Sequence, residues 1–190
     1  MHEDSTGPWY LKGFRKARQA SVGWNVFKTL VHTTIFWSIF LYLIPWQMAA
    51  LERMLGIPEL QFAGKSVVAV VGFVSAGMLG LWSGLTMAII GKGTPLPLDH
   101  PNTLVVKGPY RYVRNPMAIA GLTQGLFAGM FFGSWFALPY IIAGGVLWNY
   151  LARPPEEHHL ELDFGAPYVH YKNHVSCWIP RFSPYVEPKR

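Results

Sequence analysis

Twenty-four consecutive residues, Val67 to Ile90, carry no charge. Roughly 20 apolar residues in a helix cross the ~30 Å hydrocarbon layer of a bilayer. Backbone in hydrocarbon must satisfy its own polar groups, so a run of this kind commits the chain to a helical membrane architecture. The rest of the chain agrees, being 51% hydrophobic and 14% charged with a mean hydropathy of +0.22. Soluble domains carry roughly 25% charged residues. A net charge of +6 and a pI near 9.5 would suit nucleic acid. The basic residues stand at the ends of the apolar blocks, however, which fits topology and anionic lipid, and no nucleic-acid partner is expected.

Two further apolar blocks complete the pattern. Trp24 to Trp46 is a first span, with Lys28 placed to snorkel, His32 one turn deeper, and Pro45 expected to end it. Met117 to Ala152 holds 36 residues without a charge, too many for one span and few for two. Gly133-Ser134 is the natural turn, which predicts a tight hairpin. The expected fold is all-α and polytopic, with about four transmembrane helices, the last two a hairpin, and short cytoplasmic helices at the C-terminus. Lys and Arg number four before the first span, four between Gly91 and Pro116, and five after Ala152, against two between Pro45 and Ser66. With four spans the three rich segments share one side, which the positive-inside rule makes cytoplasmic. Both termini and both polar stretches fall there.

The remaining architecture follows from smaller signals. Residues 1–23 are polar and basic, with Trp9, Tyr10 and Phe14 beside Lys12, Arg15, Lys16 and Arg18, as in a short interfacial helix. They lack the layout of a secretory signal. Gly72, Ala76, Gly80 and Gly84 recur at four-residue spacing, and so do Gly121, Gly125, Gly129 and Gly133. Small residues so spaced let membrane helices approach closely, so the two faces are expected to meet; they could equally serve a homo-oligomer. One cysteine, Cys177, excludes an internal disulfide framework and a four-cysteine zinc site.

Two polar stretches carry the chemistry. Pro101 to Gly121 (PNTLVVKGPYRYVRNPMAIAG) holds Lys107, Arg111, Arg114 and three prolines between apolar runs. Polar backbone in such a place is tolerated where it lines a pocket or an aqueous face. Ala152 to Gly165 (ARPPEEHHLELDFG) supplies carboxylates, with Pro154-Pro155 suited to a helix start and Glu156 and Glu157 in its first turn. Tyr110, Tyr112 and Pro116 would offer flat surfaces, Arg111, Arg114 and Asn115 donors, and Glu156 and Glu157 opposing charge. A planar heterocycle with a cationic centre and a carboxylate would match; S-adenosylmethionine is one such ligand among several. The plainer alternative has the arginines binding headgroups and the glutamates capping a helix.

The run LVVKGPYRYVRNPM, followed about forty residues later by EEHHLELDFGAPYVHYKNHV and WIP, resembles the isoprenylcysteine carboxyl methyltransferase family and the related phospholipid methyltransferases. The likeness covers roughly Val67 to Pro180. Gly108, Tyr110, Arg114 and Pro116 match the pattern G-x-Y-x-x-x-R-H-P-x-Y-x-G, and Glu156, Glu157, Phe164, Gly165, Tyr168 and Tyr171 match the later part. Asn115, Ala118 and Ala120 replace the family histidine, tyrosine and glycine, which would reshape the acceptor side.

The resemblance implies an S-adenosylmethionine-dependent membrane methyltransferase of one domain. Residues 1–23 would form the interfacial tail, 24–152 the transmembrane core with cytoplasmic loop 91–116, and 153–190 the cofactor-binding tail. Asn102, Thr103, Leu104, Val105, Tyr110, Asn115, Pro116 and Glu156 would hold the cofactor. Arg114 and Arg153 would orient a hydrophobic acceptor (lipid, isoprenoid or thiol) arriving from the membrane, and Glu157 or His158 would serve any acceptor that must lose a proton. Methyl transfer is an in-line displacement, for which positioning supplies much of the acceleration.

Other classes fit less well. His158, His159, His170 and His174 are candidates for a metal site, but no HExxH motif is present and no metal is expected. Sterol reductases have a related C-terminal pattern, but they are far larger, and this chain lacks GxGxxG. A non-catalytic accessory protein or small carrier would leave Glu156 and Glu157 dispensable.

Overall fold

The computed structural model describes residues 15–16, 21–92 and 99–188. The interfacial helix expected over residues 1–23 lies almost wholly outside them. Seven α-helices follow in chain order among the described residues: α1 Val22–Phe36, α2 Ile44–Met54, α3 Lys65–Ile90, α4 Pro116–Phe132, α5 Ala137–Leu147, α6 Arg153–Phe164 and α7 Ala166–His174. The class is all-α, apart from a two-residue parallel pairing of Arg15–Lys16 with Asp99–His100.

The first helix starts at a cap that the sequence supplies, with the Ser21 side chain accepting from Trp24 N at 3.2 Å. It does not end at Pro45. A π-helical segment, Trp37–Leu43, joins α1 to α2 in one 33-residue helix, Val22–Met54. The wider π turns relieve the clash that a proline ring makes with the carbonyl four residues back, so the helix absorbs Pro45. Val22–Met54 and Lys65–Ile90 are both long and apolar enough to cross a membrane, and Pro116–Phe132 is a shorter apolar helix. Val67, Val71, Val74, Met78 and Trp82 form an exposed stripe along α3 at three- and four-residue steps. The most apolar stretch of α3 is only 28% buried, the reverse of a soluble core helix.

Helices α3 and α4 meet, but not through two glycine faces. A side chain on Gly72 would run into the Phe127 ring, and one on Gly80 would lie 3.3 Å from Ala120 Cβ. Around Gly84 the neighbours are Thr29 and Met117. The glycines of α4 point elsewhere: Gly129 abuts Ala137, Gly125 faces Ile141 and Leu41, and Gly121 faces Phe36. Each smooth face thus receives side chains from a neighbour, a fit that two flat faces would not give. Gly133 (φ +75°) ends α4, and Gly144 and Gly145 of α5 sit against Leu122. Buried Glu52 of α2 accepts from Phe136 N at 2.7 Å, which caps α5 from another helix.

A second departure concerns α6. No new helix begins at Pro154-Pro155. The π-helical segment Trp148–Ala152 carries α5 into α6 with helical backbone at Leu147, Trp148, Ala152 and Arg153, so 137–164 is continuous. Gly165 (φ +56°) then stops α6 and α7 turns back. The tail closes on a small core of Val106, Tyr168, Tyr171, Val175 and Tyr185.

Candidate active site

The site lies where the segment before α4, the start of α6 and the chain after α7 come together. Gly108 (φ +56°) opens a 3-10 turn, Gly108–Arg111, and a side chain on it would come within 2.9 Å of Thr86 Oγ1. Glycine is required there on both counts. The turn buries Tyr110, whose carbonyl accepts from Tyr171 Oη at 2.6 Å. Burial, and then the nearby Glu156 carboxylate, push the Tyr110 hydroxyl well above the ordinary tyrosine range, so it stays protonated.

Glu157 is the hub. Arg114 Nη1 reaches its Oε1 at 2.5 Å, Lys172 Nζ reaches Oε2 at 3.0 Å, and Arg153 Nη1 stands 4.0 Å from Oε1. Lys172 also binds Glu161 at 2.7 Å. Arg114 Nε donates to Val175 O at 2.8 Å, and its backbone N–H donates to Ser176 O at 3.0 Å. Burial opposes the charge of Arg114, but Glu157 outweighs it and the net shift is upward. Three sequence candidates, Arg114, Arg153 and Glu157, are therefore brought together, but against one another.

Glu156 is different. Its side chain is half-buried. Among the described residues it has no hydrogen bond or ion pair, and since no helix begins beside it, it caps none. Burial, with the charge of Glu157 adding and Arg114 opposing, raises its pKa from 4.5 to about 7. A carboxyl left unpaired at that depth is costly unless a cation completes it.

The other expected contacts divide. Asn102 N and Thr103 N spend their protons on Gly91 O, at 2.7 and 3.3 Å. Leu104 packs on the tail core and Val105 is buried. Asn115 donates through Nδ2 to Cys177 Sγ at 3.2 Å, and Pro116 is fully buried at the start of α4. His158 and His159 form an edge contact and His170 stacks on His174, but no group of three metal-ligating side chains occurs among the described residues. A separate pocket of about 160 Å³ lies between Leu104, Val106, Pro167, His170, Tyr185 and Glu187. It contains neither Tyr110 nor Glu156 and is small beside the roughly 300 Å³ at which ligand pockets begin.

A family model described as phospholipid methyltransferase matches residues 65–166, more than half of the 190-residue chain. The chain belongs to the phospholipid methyltransferase family. Its members are membrane methyltransferases, and the match contains Tyr110, Arg114, Arg153, Glu156 and Glu157. No curated protein matches the chain. Sequence reasoning gave no role to Lys172 or to the 175–177 backbone, both beyond the matched segment. The hint was the basic residue one position after Tyr171, but only the fold of α7 shows which carboxylates it meets.

Proposed function

We propose that this phospholipid methyltransferase family member uses S-adenosylmethionine to methylate a hydrophobic or membrane-associated acceptor at a site beside Glu156. The observation that carries the reading is the unpaired Glu156 carboxyl beside Tyr110, within the family-matched segment. That carboxyl fits the cationic groups of the cofactor, and Tyr110 stands beside it. When bound, the cofactor supplies a methyl group activated on a sulfonium.

The chain's own residues then position and screen. Glu156 neutralises ligand charge in a poorly hydrated place, where opposite charge is worth more than in water. Glu157 locks Arg114 and leaves Arg153 the more loosely held of the two arginines, at 4.0 Å, and the better placed to meet an acceptor. We read α3, α4 and α5 with the first helix as four crossings, with α4 and α5 a hairpin and the site on the cytoplasmic side, because contacts 129–137, 125–141 and 122–144 run antiparallel.

Calorimetric binding of S-adenosylhomocysteine to the detergent-purified protein tests this. Saturable micromolar binding that Glu156→Gln and Tyr110→Ala each weaken is expected. Folded protein that binds no S-adenosylhomocysteine would refute the cofactor assignment.

A further inference from the structure

The chain after α7 is pinned along the segment that leads into α4. Asn115 N donates to Cys177 O at 3.3 Å, Arg181 N to Tyr112 O at 2.9 Å, and Tyr185 N to Arg111 O at 2.9 Å. Trp178 Nε1 donates to Asn149 Oδ1 at 2.9 Å, at the end of the last apolar helix. These bonds hold residues 177–185 at the level where α4 begins and the apolar part of 137–164 ends.

Between the pins at Arg181 and Tyr185 the chain turns outward and shows Phe182 in full, at 107% exposure, with Ile179 just before it at 74%. A loose loop would fold such side chains back to shed apolar surface from water. This one is held out: Arg181 is fixed by its backbone bond and by Nη1 on His174 O at 3.1 Å, and Pro180 and Pro184 stiffen both flanks. Leu147, Tyr150 and Leu151, around Asn149, are exposed in the same way. The apolar surface of the last helix and that of the tail are joined through the Trp178–Asn149 bond.

We propose that Ile179 and Phe182 insert at the boundary between headgroups and acyl chains of the bilayer, making residues 178–182 a membrane-surface anchor. Trp178 and Arg181 sit at headgroup depth, where an indole ring and a snorkelling guanidinium are both favoured. Lipid is the occupant because the surface continues that of a membrane helix. The anchor also touches the site, since the same tail gives Val175 O to Arg114 Nε. The inference rests on the membrane-spanning reading above.

The test places nitroxide labels on the full chain in phosphatidylcholine–phosphatidylglycerol nanodiscs, in a Cys177→Ser background. Labels at Phe182→Cys and, independently, Ile179→Cys are compared with Val71→Cys on the exposed stripe of α3 and Asn173→Cys on the exposed side of α7. Collision with oxygen relative to a water-soluble nickel complex should place 179 and 182 between the two references, severalfold above position 173. Values at 179 and 182 equal to that at 173, with 71 in lipid, would overturn the anchor and leave the spans standing. Water-like values at 71 would overturn both. Spin–spin broadening between labels at 182 would replace lipid by a second copy of the chain.

Discussion

Residue by residue, the site sorts its two adjacent glutamates into different states. Glu157 is held by Arg114 and Lys172, while Glu156 has burial and a like charge for company. A carboxyl whose pKa is raised on folding, from 4.5 to about 7, favours the fold while both states are protonated and weakens it as pH climbs through that window. Glu156→Gln should therefore unfold with wild type near pH 4.5 and at a higher temperature than wild type at pH 8, by thermal scans of the apo protein. Binding of a cationic ligand should strengthen in wild type as pH rises toward and past 7, and stay level in Glu156→Gln. Asn25 offers a second case. It is 1% exposed and both its side-chain polar atoms lack partners. Replacing it by leucine removes that burden, so Asn25→Leu should raise stability by about 1–3 kcal/mol in a denaturant titration. The glutamate pair could be read from the sequence, but its sorting could not. The deciding partners, Val175 and Lys172, come from a segment 15 or more residues away, and no local pattern encodes which carboxylate they meet.

Among the elements, the long apolar helices were the legible part, because a charge-free run such as Val67 to Ile90 has few other ways to fold. What misled was punctuation. Pro45 and Pro154-Pro155 read as an end and a start, yet both lie just beyond π-helical segments that let the helix run on. The glycine ladders were real, but their partners were assigned by symmetry, whereas each face is filled by side chains. Gly72→Ala would meet the Phe127 ring and should cost about 1–3 kcal/mol of stability. Gly121→Ala, with Phe36 no nearer than 3.9 Å, should be tolerated; thermal unfolding of the two side by side gives the contrast. At the tail, Lys172→Met should loosen α7 from α6. Its contacts are partly exposed, so stability should fall by about 1 kcal/mol or less, with Lys172→Arg restoring it.

For the whole molecule, the proposed four crossings would place the α2–α3 connection on one side and α6–α7 on the other. A membrane-impermeant maleimide applied to sealed inverted vesicles should label Asn173→Cys and spare Leu55→Cys, both exposed positions. The positions of Lys and Arg are what point to this distribution, since topology is set by charge at the ends of spans and needs no knowledge of packing. The acceptor was not legible, because it depends on the shape left by Asn115, Ala118 and Ala120 and not on any charge pattern.

The uninterrupted helix over 137–164 has one further meaning. It is fastened at one end by Glu52 on Phe136 and at the other by Arg114 on Glu157. Twenty-one residues separate Phe136 from Glu157. At 1.5 Å per residue that is about 31 Å, close to the thickness of a hydrocarbon layer. On the proposed four-crossing arrangement, the molecule carries an internal ruler. A thinner bilayer would have to pucker around it, because shortening the ruler would mean unfastening either the cap of α5 or the arginine of the site.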